Sequence, residues 1–119
     1  MDEEGKKAGN CKVMQTIIIS MDSRKMENPD LDIRYLLPDR IEEWTEQAVQ
    51  DNGYDYIDDQ GYILAVWLQT ESAEEWWPKI VELLKAERFC ENDLFQSALV
   101  LISEEDCADI DKCRQVYPR

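Results

Sequence analysis

The sequence predicts an α+β fold, and three observations predict it. Met14 to Met21 (Met-Gln-Thr-Ile-Ile-Ile-Ser-Met) and Leu94 to Ile102 (Leu-Phe-Gln-Ser-Ala-Leu-Val-Leu-Ile) are apolar runs of strand length. Gly53 to Gln69 reads as a β-hairpin, two strand-like runs around the turn residues Asp58-Asp59-Gln60-Gly61. There Gly61 can take positive φ, and Asp58 or Asp59 can hydrogen-bond the backbone just ahead. Stretches with apolar residues at helical spacing separate these strands on both sides. The order is β-α-β-β-α-β, and its economical solution is a ferredoxin-like sandwich, one antiparallel or mixed sheet with two helices on one face.

Taken in order, Met1 to Met14 is polar, with Gly5, Gly9 and Lys6-Lys7, and it lacks the apolar region of a signal peptide. We read residues 1–13 as a disordered extension and residues 14–119 as one α+β domain, a length that suits a single core. Three consecutive isoleucines, Ile17 to Ile19, predict a strand buried on both faces and therefore central in its sheet. Asn28-Pro29-Asp30 is a turn signal. Leu31, Ile33 and Tyr35 alternate with Asp32 and Arg34, as in a short strand or an extended lead-in. Pro38 is expected to open the first helix, with Asp39 and Glu42 as its capping box and Ile41, Trp44 and Ala48 facing the core. That helix is expected to end near Asn52, with Gly53 as its left-handed cap. Ser72 and Glu75 repeat the capping-box spacing for a second helix through Trp76, Trp77, Ile80, Val81, Leu83 and Leu84. Pro78 leaves two readings open, a kinked first turn or a helix that begins at the proline. Trp44 and Trp67 are expected in the core. Trp76 and Trp77 point about 100° apart on a helix, so one of them belongs in the core and the other at its margin. The tail from Ser103 is acidic, and Ser103 is a candidate cap for a short helix.

Charge is the unusual quantity: 27 Asp and Glu against 13 Lys and Arg, a net −14. Such an excess repels nucleic acid and anionic membranes and favours basic proteins or cations as partners, although acidity also serves plain solubility. No apolar run approaches the ~20 residues of a membrane span, and a cytoplasmic protein is the expectation. The four cysteines, Cys11, Cys90, Cys107 and Cys113, form no Cys-x-x-Cys pair, and the chain has no histidine. Imidazole zinc sites are thereby excluded, and free thiols are expected in a reducing compartment.

Catalytic chemistry finds little support. A serine or cysteine nucleophile would lack a histidine base, no Gly-x-Ser-x-Gly elbow occurs, and the acidic surroundings of Cys107 raise a thiol pKa. Placing Gly61 at the sixth position of an EF-hand loop puts Tyr56 first and Trp67 twelfth, and placing Gly53 sixth puts Ala48 first, so the motif fails in both registers. No glycine-rich phosphate loop is present. The expectation is a protein that is not an enzyme and uses no cofactor and no metal.

Surfaces remain. Asp55, Asp58 and Asp59 stand among Tyr54, Tyr56 and Tyr62 in the hairpin, an acidic patch with aromatic anchors. In a sheet-and-helix sandwich the hairpin turn, the 22–37 connection and the 89–93 loop share one end. Asp30, Asp32, Glu91 and Asp93 would then extend a single strongly negative surface facing a basic partner. The competing reading is that these tyrosines are ordinary half-buried strand residues.

The run Ile19 to Asp39 (Ile-Ser-Met-Asp-Ser-Arg-Lys-Met-Glu-Asn-Pro-Asp-Leu-Asp-Ile-Arg-Tyr-Leu-Leu-Pro-Asp), followed by Asp51 to Asp59 (Asp-Asn-Gly-Tyr-Asp-Tyr-Ile-Asp-Asp), resembles small acidic immunity proteins of bacterial polymorphic and contact-dependent toxin systems. The resemblance covers roughly residues 14–104. It implies a cytoplasmic inhibitor that binds and neutralises one cognate toxin domain, often a nuclease. Such families share no catalytic motif, so the contact residues named above come from the charge argument alone. The alternative expectation is a small regulatory or assembly domain that self-associates through its sheet, as monomer or homodimer.

Overall fold

A computed structural model describes residues 14–28 and 32–118. The expected disorder of 1–13 and the candidate Asp30 fall outside these residues. The elements are β1 (Gln15–Asp22), a 3-10 turn (Ser23–Lys25), α1 (Ile33–Trp44), β2 (Val49–Tyr56), β3 (Ile63–Thr70), α2 (Ala73–Ala86), the helical turn α3 (Leu94–Ser97), β4 (Ala98–Ser103), a second 3-10 turn (Ile110–Lys112) and β5 (Arg114–Tyr117). The strands form one five-stranded sheet in the order β2-β3-β1-β4-β5, every neighbouring pair antiparallel. The fold is α+β, with one strand more than the sequence predicts. That strand, Arg-Gln-Val-Tyr, buries only Val116 fully, too little periodicity to announce itself.

The isoleucine run explains the centre. Thr16 to Met21 are all buried. Ile17, Ile19 and Met21 pair across to Leu68, Val66 and Leu64 on one side and to Ile102, Val100 and Ala98 on the other. These residues face both main helices and form the core with Ile33, Leu37 and Ile41 of α1 and Trp77, Ile80 and Leu84 of α2. Ile18 turns to the opposite face and is also fully buried. Its cover comes from Trp67, its partner on β3, and from the 104–113 segment, which leaves β4 and crosses that face before returning as β5. Thr16 Oγ1 holds this strap, donating to the Glu105 carbonyl (2.7 Å) and accepting from Ala108 N–H (3.1 Å). Trp67 Nε1 donates to the Ala108 carbonyl at 2.9 Å.

The helices depart from their expected bounds. α1 begins at Ile33 and carries Pro38 inside it, so Asp39 is not its cap. The buried stripe Ile33, Leu37, Ile41 has helical spacing and outweighs the one hydrogen bond that Pro38 removes. α1 also stops early, at Trp44, because Thr45 Oγ1 turns back to the Ile41 carbonyl (2.7 Å) and accepts from Val49 N–H (3.2 Å). Val49 therefore opens β2, and Gly53 lies inside that strand at φ +101, not at a helix end. With α1 ending there, Trp44 stays 38% exposed.

α2 is continuous through Pro78, capped by Ser72, whose Oγ accepts from Glu75 N–H at 3.3 Å. Trp77 enters the core, while Trp76 is half-buried with Lys79 Nζ 4.5 Å from its ring centre. Arg40 ties α1 to α2 through a two-pronged contact with Glu87 (3.0 and 2.7 Å), which holds the Glu87 carboxyl below its ordinary range. The chain before β4 is helical from Leu94 to Ser97 rather than extended. Ser103 caps no helix, its Oγ accepting from Glu105 N–H (3.1 Å) as the strap departs.

Candidate functional site

Three loops do meet at one end of the sheet. Ser23 N–H donates to the Tyr62 carbonyl (2.8 Å), joining the 3-10 turn to the hairpin. Asn92, fully buried, accepts from Asn28 N–H (2.7 Å) and donates to the Asn28 carbonyl (2.6 Å), joining the 26–28 segment to the 89–93 loop.

The sequence candidates at this end divide by role. Asp58 closes the hairpin, its carboxylate accepting from Ile63 N–H (2.9 Å) and Tyr62 N–H (3.1 Å). The Ile63 bond foremost holds its pKa below the usual carboxylate range. Asp59 stands exposed at the turn. Asp32 precedes α1 and is exposed, while its carbonyl accepts from Tyr35 and Leu36 N–H. Glu91 is exposed at φ +68, and its carbonyl accepts from Arg88. Asp93 is half-buried before α3, its carbonyl accepting from Gln96 N–H and Ser97 Oγ. Tyr62 is 42% exposed under Arg24, whose guanidinium lies 4.8 Å from the ring centre. The end is also less uniformly negative than the sequence implies. Arg24 pairs with Asp22 at 2.9 Å, and Arg88 pairs with Glu27.

Asp58 therefore has structural work as well as charge. Asp58→Ala is expected to lower the unfolding temperature at neutral pH by freeing two backbone donors. The sign of its pH dependence follows from the depressed folded pKa. The contribution of Asp58 is complete above the ordinary carboxylate range and disappears as pH falls through the folded value. The gap between wild type and variant should close in strong acid, which thermal unfolding across pH measures.

The remaining hairpin candidates lie along the β2 edge. Tyr56 packs against the core and offers little to a partner. Tyr54 is 42% exposed and meets Tyr35 of α1 edge-to-face at 6.0 Å, with Arg34 over both rings at 5.5 and 4.5 Å. Asp55 is exposed on the strap side of the sheet, where it pairs opposite Ala65, and its Oδ1 accepts from Tyr56 N–H at 2.8 Å. The N–H groups of Asp51 and Gly53 likewise go to carboxylates, of Glu42 (2.8 Å) and Asp51 (3.0 Å). Donors at Asp51, Gly53 and Tyr56 are thus withdrawn from the pairing surface of this edge.

Sequence reasoning left out the strap. Between Glu104 and Asp111 it carries five acids, Glu104, Glu105, Asp106, Asp109 and Asp111, and none of them joins a salt bridge among the described residues. Burial, then the charges of Glu105 and Asp109, push the nearby Cys113 thiol up. The density of acids directly after the last strong strand was the available signal. Beside the strap is a shallow cleft of about 270 Å³ lined by Asn52, Gly53, Tyr54, Asp55, Trp67 and Cys107. Among the described residues no cluster of three or more side chains could hold a metal ion, and no helix is long and apolar enough to cross a membrane.

Comparison with protein-family models, with curated proteins and with solved structures found no match to this chain.

Proposed function

We propose that the chain is a stoichiometric inhibitor that binds a basic toxin domain, a nuclease foremost, in the manner of the bacterial immunity proteins it resembles. The observation that carries this reading is the carboxylate surface of the strap, which has no ion-pair partner among the described residues and flanks a cleft whose lining includes Trp67 and Tyr54. Uncompensated charge beside aromatic anchors accelerates and orients docking to a cationic protein and occludes its cleft. The scaffold we read as ferredoxin-like with an added edge strand. The order β2-β3-β1-β4 under two helices supports that reading. Its compartment we take as the cytoplasm, which suits the free thiols at Cys107 and Cys113. Self-association by strand addition is the weaker reading, because carboxylates of Glu42, Asp51 and Asp55 already occupy β2 edge donors.

Co-expression tests the reading. The C-terminal domain encoded immediately upstream in the source genome is expressed with and without this chain, and growth is scored. Rescue together with a recovered 1:1 complex is the expected result. Toxicity without rescue would overturn it. In the recovered complex, combined Glu105→Lys, Asp106→Lys and Asp109→Lys should slow association about tenfold at low salt, with the difference shrinking at high salt. Stopped-flow mixing at two ionic strengths measures this. An association rate equal to wild type would remove the strap from the interface.

A further inference from the structure

We infer that the cleft between β2 and the strap is a receptor for an arginine side chain of the basic partner. The inference rests on the reading above and gives that reading a point of contact. The cleft arises from the strand register. Asp51 pairs with Leu68 and Tyr54 with Val66, so Asn52 and Gly53 stand together opposite Trp67. Two residues facing one make a bulge. One of the two is glycine at φ +101, and apart from its own chain neighbours no atom lies within 4 Å of where a Cβ would stand. The row of side chains beside the Trp67 indole therefore has a gap, open to solvent.

The walls of the gap are fixed before any ligand arrives. Trp67 Nε1 is held by the Ala108 carbonyl at 2.9 Å, and Asn52 Nδ2 contacts Cys107 Sγ at 3.1 Å. Asp55 lies diagonally across from Trp67 on the same face, since it pairs with Ala65, two residues before the indole. Its Oδ1 accepts from Tyr56 N–H, and among the described residues no donor meets its Oδ2. An indole beside an available carboxylate is the chemistry of cation recognition. A planar guanidinium suits it better than an ammonium, because it stacks on the ring while its N–H fork meets the carboxylate. The strap adds Asp106 and Asp109 on either side of Cys107 and Ala108, so an approaching cation meets a negative rim.

The probe is N-acetyl-arginine N-methylamide, with the citrulline analogue as its neutral isostere, titrated into the labelled full chain and followed by amide and indole NMR. The expected result is a saturable shift confined to the Trp67 indole N–H and the amides of Asn52, Gly53 and Asp55, absent with citrulline. The lysine amide should bind more weakly. Asp55→Asn keeps the acceptor for Tyr56 N–H and should weaken the arginine amide about tenfold. Trp67→Phe, a second variant, should weaken it by removing the larger ring. Equal shifts with citrulline, shifts scattered over carboxylates elsewhere, or undiminished binding to Asp55→Asn would each overturn the site. The probe needs no toxin, so the two proposals fail separately. A cleft that binds arginine in a chain that rescues nothing keeps the receptor and loses the inhibitor. A toxin complex of undiminished affinity with Asp55→Asn keeps the inhibitor and removes the receptor.

Discussion

Asn92→Asp should destabilise the protein by about 3–4 kcal/mol although it changes almost no volume. Asn92 is fully buried, and both ends of its amide are in use. Its Oδ1 accepts from Asn28 N–H at 2.7 Å, and its Nδ2 donates to the carbonyls of Asn28 (2.6 Å) and Cys90 (3.2 Å). The substitution turns that donor into an oxygen aimed at two carbonyl oxygens and places a charge where water does not reach. Each stranded buried group costs roughly 1–3 kcal/mol, and the charge adds to it. The introduced carboxyl escapes part of the cost by protonating, so its folded pKa must rise. Stability tied to a raised carboxyl pKa is greater below that value, and the deficit should shrink as pH falls. Urea unfolding at neutral and acidic pH measures both effects. A deficit under about 1 kcal/mol would mean that Asn92 does not hold the 26–28 segment to the 89–93 loop.

Asn92 also marks where the sequence stops being legible. Elements that announce themselves by repetition were readable. Three isoleucines in a row gave a central strand buried on both faces, and Ser72 with Glu75 gave the start of α2. Elements decided by competition between neighbours were not. Pro38 looks like a helix opener because the alternation of Leu31, Ile33 and Tyr35 competes with the helical spacing of Ile33, Leu37 and Ile41, and only packing on the sheet decides between them. Gly53 looked like a helix cap because positive φ serves a β-bulge equally well. A lone asparagine in a polar loop carries no sign that it will be buried. The candidate surface divides in the same way. Turn chemistry already offered Asp58 or Asp59 as the acceptor for the backbone ahead, and Asp58 takes that role; charge counting alone does not reveal that Arg24 and Arg88 stand among the acids of that end.

One hydroxyl ties the strap to the central strand at both Glu105 and Ala108, and Thr16→Val should release it. Valine keeps the shape and strand preference of threonine, so β1 loses little else. The change strands the buried N–H of Ala108 and the Glu105 carbonyl, at about 2–4 kcal/mol if the strap stays in place. A segment with few other ties avoids that cost by leaving the sheet. Its remaining anchors near Thr16 are the Trp67–Ala108 bond at 2.9 Å and the Asn52–Cys107 contact at 3.1 Å. The expected signature is therefore local. Hydrogen exchange at Ala108 should accelerate by about 30-fold or more, each tenfold corresponding to about 1.4 kcal/mol of lost protection. The Trp67 indole N–H should shift, while amides of Ile17 to Ile19 in the central strand keep most of their protection. Uniform loss of protection across the sheet would mean instead that the strap and the core open together. The distinction bears on function because the strap supplies both the unpaired carboxylates and one wall of the cleft. If it opens alone, Thr16→Val separates the binding surface from the fold that carries it. A folded chain that has lost its affinity for a basic partner would then place recognition on the strap side of the sheet, away from the hairpin end.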